Sequence, residues 1–427
     1  MSKYSFNEIE LGSQNDYNTS QIFYCQSFED NTDNEIKAVQ SAFNGDYKEA
    51  LKYATRDASS NTNPVVANFT DQDSIQIDQM IRAAESMLSD PNSSEEKIAE
   101  SKKILSLLRG PVTAEEAFKE YQRTPALEYI VTQGESFHFT LINEAHYCSQ
   151  HRNFTHQLLE PLWDSGYRYL ALETLSHYDT ALVARRYPTY DSGPYLADSN
   201  FGNLVQSAID IGYILVPYET LDSQSGTLRD FDQAQNILNA TWLRDTVGKV
   251  LVHAGYSHIN EVGFENYRPM GSQLKKMSEQ DILTIDQVFM TPLNDNDKNH
   301  AFYNYVNKDV TIEEPIVCLN PGGVPVIDPV SRESIDIQVY HPKTSFVHGR
   351  PDWIKNENNH YISLSKAITA YKGNLLVALD ASKLMSAVPA DKLVIEDDIK
   401  LILPTGSYVI MVINCDNKII KRYSLEV

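Results

Sequence analysis

The chain has 427 residues, of which 42% are apolar and 25 are tyrosine, and it carries a formal net charge of −22. That apolar content excludes global disorder, and this length suits about two or three domains. The acidic balance repels phosphate backbones and anionic lipid, so nucleic acid and membrane surfaces are excluded as partners while neutral or cationic substrates stay open.

Residues 1–33 are polar and rich in Asn and Ser, and are expected to be loosely structured. A helical cap is predicted over 34–130. Ile36, Val39, Phe43, Ala50 and Leu51 keep helical spacing, as do Ile77, Met80, Ile81, Ala84 and Leu88. Ser93 with Glu96, and Thr113 with Glu116, fit the capping box, in which side chain and backbone satisfy each other at a helix start. The stretches 90–92 (DPN) and 110–111 (GP) mark breaks between these helices.

Residues 131–310 read as an α/β block. Strands are predicted at 138–146, 167–173, 213–219 and 249–258, and helical stretches separate them. The order β-α-β-α-β-α-β calls for a parallel or mixed central sheet flanked by helices. Each strand ends in ionisable residues: Glu144 and His146, then Glu173, then Glu219, then His253 and His258. In such sheets ligands bind beyond the carboxyl ends of the strands, so these residues are expected to converge. An internal echo supports the alignment. GYRYLALETL at 166–175 and GYILVPYETL at 212–221 both carry a glycine to stop the preceding helix, a buried strand, and Glu-Thr at its exit. Phe154, Leu158 and Leu162 share one helix face, and Phe231, Ala234 and Leu238 share another. A last helix is predicted at 270–277 and a strand at 282–289.

Residues 311–427 read as a β-rich C-terminal domain. Turn chemistry at 321–325 (PGGVP) precedes short alternating runs at 335–339 and 375–379. The end reads as a hairpin, with strands at 407–413 and 419–425 around a turn near 414–418. His341, His348 and Arg350 are its locally suggestive polar group. The four cysteines, Cys25, Cys148, Cys318 and Cys415, form no CxxC pair, which argues against a disulfide framework or a zinc ribbon. With no apolar leader and no apolar run near ~18 residues, the expected location is cytoplasmic.

Glu144 and His146 are two apart and would share one face of a strand, either as an acid/base couple or as two ligands of one divalent ion. Glu173 ends an apolar strand, where an isolated charge needs a cation, a histidine or a metal nearby. Glu219 follows the same logic. Arg229 lies at a helix start, where the dipole disfavours a cation unless a carboxylate or anion holds it. His253 and His258 flank a Gly-Tyr-Ser stretch, with His258 expected in the site and His253 in support. Cys148 is read as a packing residue, and the other histidines mostly as surface residues, with His151 nearest to the site. The chain lacks GxGxxG after a strand, GxxxxGK[ST], GxSxG and HExxH, so dinucleotide, P-loop, serine-hydrolase and zincin chemistries lose support.

These marks resemble a clan that contains the erythromycin esterases, the haem-binding ChaN-like proteins and the TraB/Tiki proteins. The clan's Gly-Glu-x-His strand exit matches Asn143-Glu144-Ala145-His146, with asparagine in the place of glycine. Its second glutamate matches Glu173, its arginine-led helix matches Arg229, and its late Gly-x-x-His matches Gly255–His258. The resemblance covers about 131–290 and implies any of three activities, which the fold cannot separate.

The leading expectation is a hydrolase that activates water on an ester or related acyl bond. Its catalytic residues would be Glu144, His146, Glu173, Arg229 and His258, with Tyr218, Glu219, His253 and Tyr256 binding a small-molecule or peptide substrate. No cofactor is required by that chemistry. One alternative is a metal-dependent peptidase or amidase with zinc, manganese or cobalt on Glu144, His146, Glu173 and His258. The other is a non-catalytic haem binder with an axial imidazole.

Overall fold

The computed structural model describes residues 4–10, 34–54, 114–221, 225–263, 267–293, 299–329 and 331–427. The fold is mixed α/β: a six-stranded parallel sheet flanked by helices, followed by an antiparallel β-rich C-terminal region. The sheet strands are β1 (Phe139–Glu144), β2 (Tyr167–Leu172), β3 (Ile214–Pro217), β4 (Lys249–Gly255), β5 (Ile282–Asp286) and β6 (Ile337–Gln338). They lie in the order β3-β2-β4-β1-β5-β6, and every neighbouring pair is parallel.

Parallel neighbours need crossover helices, and the apolar periods place them on both faces. On one face, α3 (Ala126–Gly134), α4 (Ser149–Asp164) and α5 (Ser199–Ile211) bring Ile130, Leu158, Leu162, Phe201 and Leu204 against Ile142, Leu170 and Leu251. On the other, α6 (Gly226–Ala240) and α7 (Met270–Ser278) bring Ala234, Ile237, Met270 and Leu274 against Leu141, Ala171 and Val252. Leu141 and Ile142, like Leu170 and Ala171, point to opposite faces because side chains alternate along a strand. Each fully buried leucine contributes about 1.5–3 kcal/mol, so these two layers hold the sheet edge in place.

The C-terminal region builds a five-stranded antiparallel sheet from the strand Phe6–Ile9 and from β7 (Leu375–Asp380), β8 (Asp391–Val394), β9 (Ser407–Ile413) and β10 (Ile419–Glu426). The predicted hairpin is present, and its turn closes with Asn414 N donating to Lys418 O at 2.9 Å. Two differences from the sequence reading have physical reasons. Phe6–Ile9, expected to be loose, pairs with β10 and satisfies its backbone there. Ile337–Gln338, read with the C-terminal block, instead extends the parallel sheet beside β5. The expected helices over 55–113, including the breaks at 90–92 and 110–111, lie outside the described residues. Two helices of the N-terminal block are described, α1 (Asn34–Phe43) and α2 (Tyr47–Tyr53). Cys148 and Cys318 are free and buried, whereas Cys415 is disulfide-bonded, which the cysteine spacing did not suggest. Among the described residues no helix is long and apolar enough to cross a membrane.

Candidate functional site

Strand register brings the site together. Glu144 stands opposite Gly255 across the β1–β4 pair, and Leu172 opposite His253 across β2–β4. Glu173, the residue that follows β2, donates its backbone N–H to His253 O at 3.1 Å. Three strand exits therefore meet at one point. The echo at 166–175 and 212–221 is offset by one residue in space, because Leu172 pairs with Pro217. Glu219 consequently stands one residue further out than Glu173.

Glu144 is buried and held at both oxygens by one guanidinium. Arg152 Nε donates to Oε2 at 2.7 Å and Nη2 to Oε1 at 2.6 Å. His146 Nδ1 lies 3.1 Å from the same Oε1. A carboxylate accepts only, so Nδ1 carries the proton and Nε2 keeps its lone pair. Burial works against the Glu144 charge, but Arg152 and the neighbouring histidines outweigh it and hold the carboxyl well below the usual carboxylate range. The His146 ring is about one-fifth exposed, at 20%, and lies between Tyr195 and Tyr256, with ring centroids 4.8 Å away on each side.

A second carboxylate–histidine pair faces it. His258 Nδ1 donates to Asp230 Oδ1 at 2.6 Å, and Tyr267 OH and Met270 N donate to that same oxygen. Burial opposes a charge on His258, yet the Asp230 hydrogen bond and the charges of Glu173 and Asp230 raise its pKa above the ordinary value. Arg229 Nη1 donates to His258 Nε2 at 3.1 Å, a contact that only the neutral ring accepts.

Arg229 and Glu173 lie between the two histidines. Arg229 Nη2 reaches Glu173 Oε1 at 2.9 Å and Glu219 Oε2 at 2.5 Å, and Nε reaches Glu219 Oε1 at 2.9 Å. Two carboxylates thus offset the helix-start dipole at Arg229, the partner its position required. Gly255 N donates to Glu173 Oε2 at 2.5 Å. Burial favours neutral Glu173, but His258, His146 and Arg229 together lower its pKa.

The structure brings Glu144, His146, Glu173, Glu219, Arg229 and His258 to one sheet edge, with Tyr256 at its rim. It separates others. Tyr218, read as substrate-binding, is fully buried and donates its hydroxyl to His253 O at 3.0 Å. His253, also read as substrate-binding, is buried with Nε2 3.5 Å from Glu144 Oε2, and burial lowers its pKa. His253 is buried on the central strand β4, between the helical layers, and Tyr218 is buried past the end of β3, packed in the layer of Ala234 and Ile237. His151, read as the remaining histidine nearest to the site, and His341, read with His348 and Arg350 as a polar group of the C-terminal block, are buried supports. His151 Nδ1 accepts from Ala145 N at 3.0 Å, and His341 Nε2 bonds Gln287 Oε1 at 3.0 Å. Burial pushes the Cys148 thiol up to about 12, which leaves it unreactive at neutral pH.

Arg152, Asp230 and Asp198 were missed as partners by the sequence reading. Asp230 follows Arg229 directly and was legible as a candidate. Arg152 and Asp198 carry no local mark, since a polar residue within a helix or at its cap is ordinary.

The four residues proposed for a metal do not form a ligand set. Among the described residues no group of three or more His, Cys, Asp or Glu side chains is placed to hold an ion. Arg152 takes up both Glu144 oxygens, and Glu173 accepts from Arg229 and Gly255. A divalent cation here would face the guanidinium groups of Arg152 and Arg229.

No protein-family model and no curated protein matches the chain. Solved structures of bacterial protein toxins share part of its shape. One is 15% identical, covers 58% of this chain and 57% of its own length, and has a TM-score of 0.30. A second is 14% identical over 58% and 56%, with a TM-score of 0.29. A third, RRSP, a MARTX toxin effector domain from Vibrio vulnificus CMCP6, is 13% identical over 58% and 54%, with a TM-score of 0.28. The chain spans a little over half the length of these structures, and likeness of this degree does not bear on the chemistry of the site.

Proposed function

We propose that the protein is a hydrolase that activates water on an ester or related acyl bond at the C-terminal edge of its parallel sheet. The observation that carries this is the Glu144–His146 pair. Glu144 fixes the tautomer in which Nε2 is free to take a proton, and the ring is partly open to solvent.

His146 Nε2 removes a proton from water as the water oxygen bonds to the acyl carbon. Glu144, and Glu173 nearby, stabilise the imidazolium that forms. Arg229 faces the negative charge that develops on the acyl oxygen, and His258, anchored on Asp230, holds Arg229 Nη1 in place. When the intermediate collapses, the bond to the leaving oxygen breaks and the imidazolium returns the proton to it. Glu173 and Glu219 hold Arg229 throughout, which fixes the cation before reaction begins. The order of motifs along the chain resembles that of the clan containing the erythromycin esterases, which admits this reading beside the clan's other activities. No covalent nucleophile is required, in keeping with the buried, unreactive Cys148.

The test is turnover of a panel of aryl and alkyl esters by the wild type and by His146→Ala. Loss of a positioned general base should lower kcat by about 10²- to 10⁴-fold with an unchanged circular dichroism spectrum. Near-normal turnover in the folded variant would remove His146 from the mechanism.

A further inference from the structure

Behind Glu144 lies a buried layer that the proposed reaction does not use. Its centre is Asp198, which is 0% exposed and caps α5, with Asn200 N donating to Oδ1 at 3.0 Å. Tyr47 OH donates to Oδ1 at 3.3 Å, Ser149 Oγ to Oδ2 at 2.5 Å, and Arg152 Nη1 to Oδ2 at 3.0 Å. Arg152 is itself fully buried. Its guanidinium lies 5.1 Å from the Tyr195 ring centroid and 5.2 Å from that of Phe201, and its other nitrogens reach Glu144 and His146 O.

The outer partners come from the two ends of the chain. Tyr47 belongs to α2. Lys392 belongs to β8 of the C-terminal sheet and donates its buried ammonium to Ala197 O, beside Asp198. Charge alternates along the path: Lys392, Asp198, Arg152, Glu144, then His146. We propose that Asp198 is a positioning residue for His146, acting through Arg152 and Glu144, and that Tyr47 and Lys392 make it the point where the N-terminal helices and the C-terminal sheet set the geometry of the site.

The chemistry requires a carboxylate at this position. Tyr47 OH, Ser149 Oγ, Asn200 N and Arg152 Nη1 all donate to Asp198, and both of its oxygens accept. An asparagine of the same shape would turn an NH₂ toward two of these donors whichever way it faced. Even with the amide oxygen turned toward it, Arg152 would exchange its outer carboxylate for a neutral acceptor, in a buried site where charge-assisted hydrogen bonds are strongest. Glu144 is clamped at both oxygens by that guanidinium, so it moves with it and releases His146 Nδ1. The structural part of this inference stands by itself; its catalytic consequence rests on the reading of His146 as the base.

The experiment is ¹⁵N NMR of the histidine rings in the full chain, wild type against Asp198→Asn, with the His146 signals assigned by their loss in His146→Ala. The expected result is a wild-type ring protonated at Nδ1 and a mixture of the two tautomers in Asp198→Asn. In parallel, kcat for an ester that the wild type hydrolyses should fall roughly tenfold while KM changes by less than about twofold. A wild-type His146 spectrum in folded Asp198→Asn overturns the proposal. If that variant does not fold, Lys392→Met and Tyr47→Phe carry the test, since each removes one outer donor and leaves the carboxylate in place. A shift toward mixed tautomers in either supports the proposal, and wild-type spectra in both overturn it. If the wild type hydrolyses no ester, the hydrolase reading falls while the NMR comparison still decides the role of Asp198.

Discussion

Gly255 lies against the imidazole of His146: a Cβ built on it would stand 2.3 Å from Cε1 and 2.7 Å from Nε2. Its backbone is extended and suits any residue, so close approach is the reason for glycine here. Gly255→Ala is expected to push the ring off Glu144, because β4 lies between two covered layers and cannot yield. Turnover should fall about 10²-fold, the cost of misplacing a catalytic group by roughly 1 Å. Stability should fall by only about 1–3 kcal/mol, the usual cost of overpacking. Steady-state kinetics beside denaturant unfolding separate the two, and unchanged kcat would contradict the contact.

Arg229→Lys tests the fork. Nη2 of the guanidinium serves both Glu173 and Glu219, Nε serves Glu219 and Nη1 serves His258, and a single ammonium cannot span all three partners. The variant should keep the charge but lose ester turnover by about 10- to 10³-fold, the range for removal of one oxyanion donor or its support. Equal kcat in the lysine variant would show that charge alone suffices.

Acid should expose the carboxylates of the site. Glu144 and Glu173 have folded-state pKa values below the ordinary 4.5, so their contribution to stability is fully present above that value and is lost as pH falls through the folded values. His258 has the opposite sign. Its raised pKa contributes stability below 6.5 that is lost as pH rises through the folded value. The gap in Tm between wild type and Glu173→Gln should therefore shrink as pH drops below 4.5. The gap to His258→Gln should shrink in the other direction, above 6.5. Gaps that stay constant with pH would refute both assignments.

Cys148 supplies a negative control. Because burial raises its thiol to about 12, Cys148→Ser is expected to retain turnover, and thiol reagents should modify Cys148 slowly in the native protein. Inactivation by a thiol reagent at a rate typical of exposed cysteine would overturn this.

Much of the fold was legible in the sequence because it rests on local pattern. The apolar runs ending in Glu144 and Glu173 mark strands buried on both faces, whereas the run before Glu219, expected to be buried as well, forms the edge strand with Ile214 exposed. Helix-period stretches between them require parallel crossovers. Gly166 and Gly212 stop the helices before β2 and β3 in the left-handed region, as the echo implied. With parallel strands established, the convergence of Glu144, Glu173, Arg229 and His258 follows from the rule that such sheets act at their carboxyl edge.

Tertiary structure alone decided which ionisable residues face the site and which support it. Tyr218 and His253 occupy strand-end positions like those of the site residues, yet helices cover them, and coverage is a property of packing that strand position does not encode. Arg152 and Asp198 lie 46 residues apart and hold each other only because α4 and the start of α5 come together. Phe6–Ile9 and Ile337–Gln338 found partners far along the chain, since a short strand takes its place from whichever edge leaves hydrogen bonds unmet. Sequence by itself determined the period of each segment and the residues at its end. The long-range pairing of buried charges, which must find partners to be buried at all, determined which of those residues form the site.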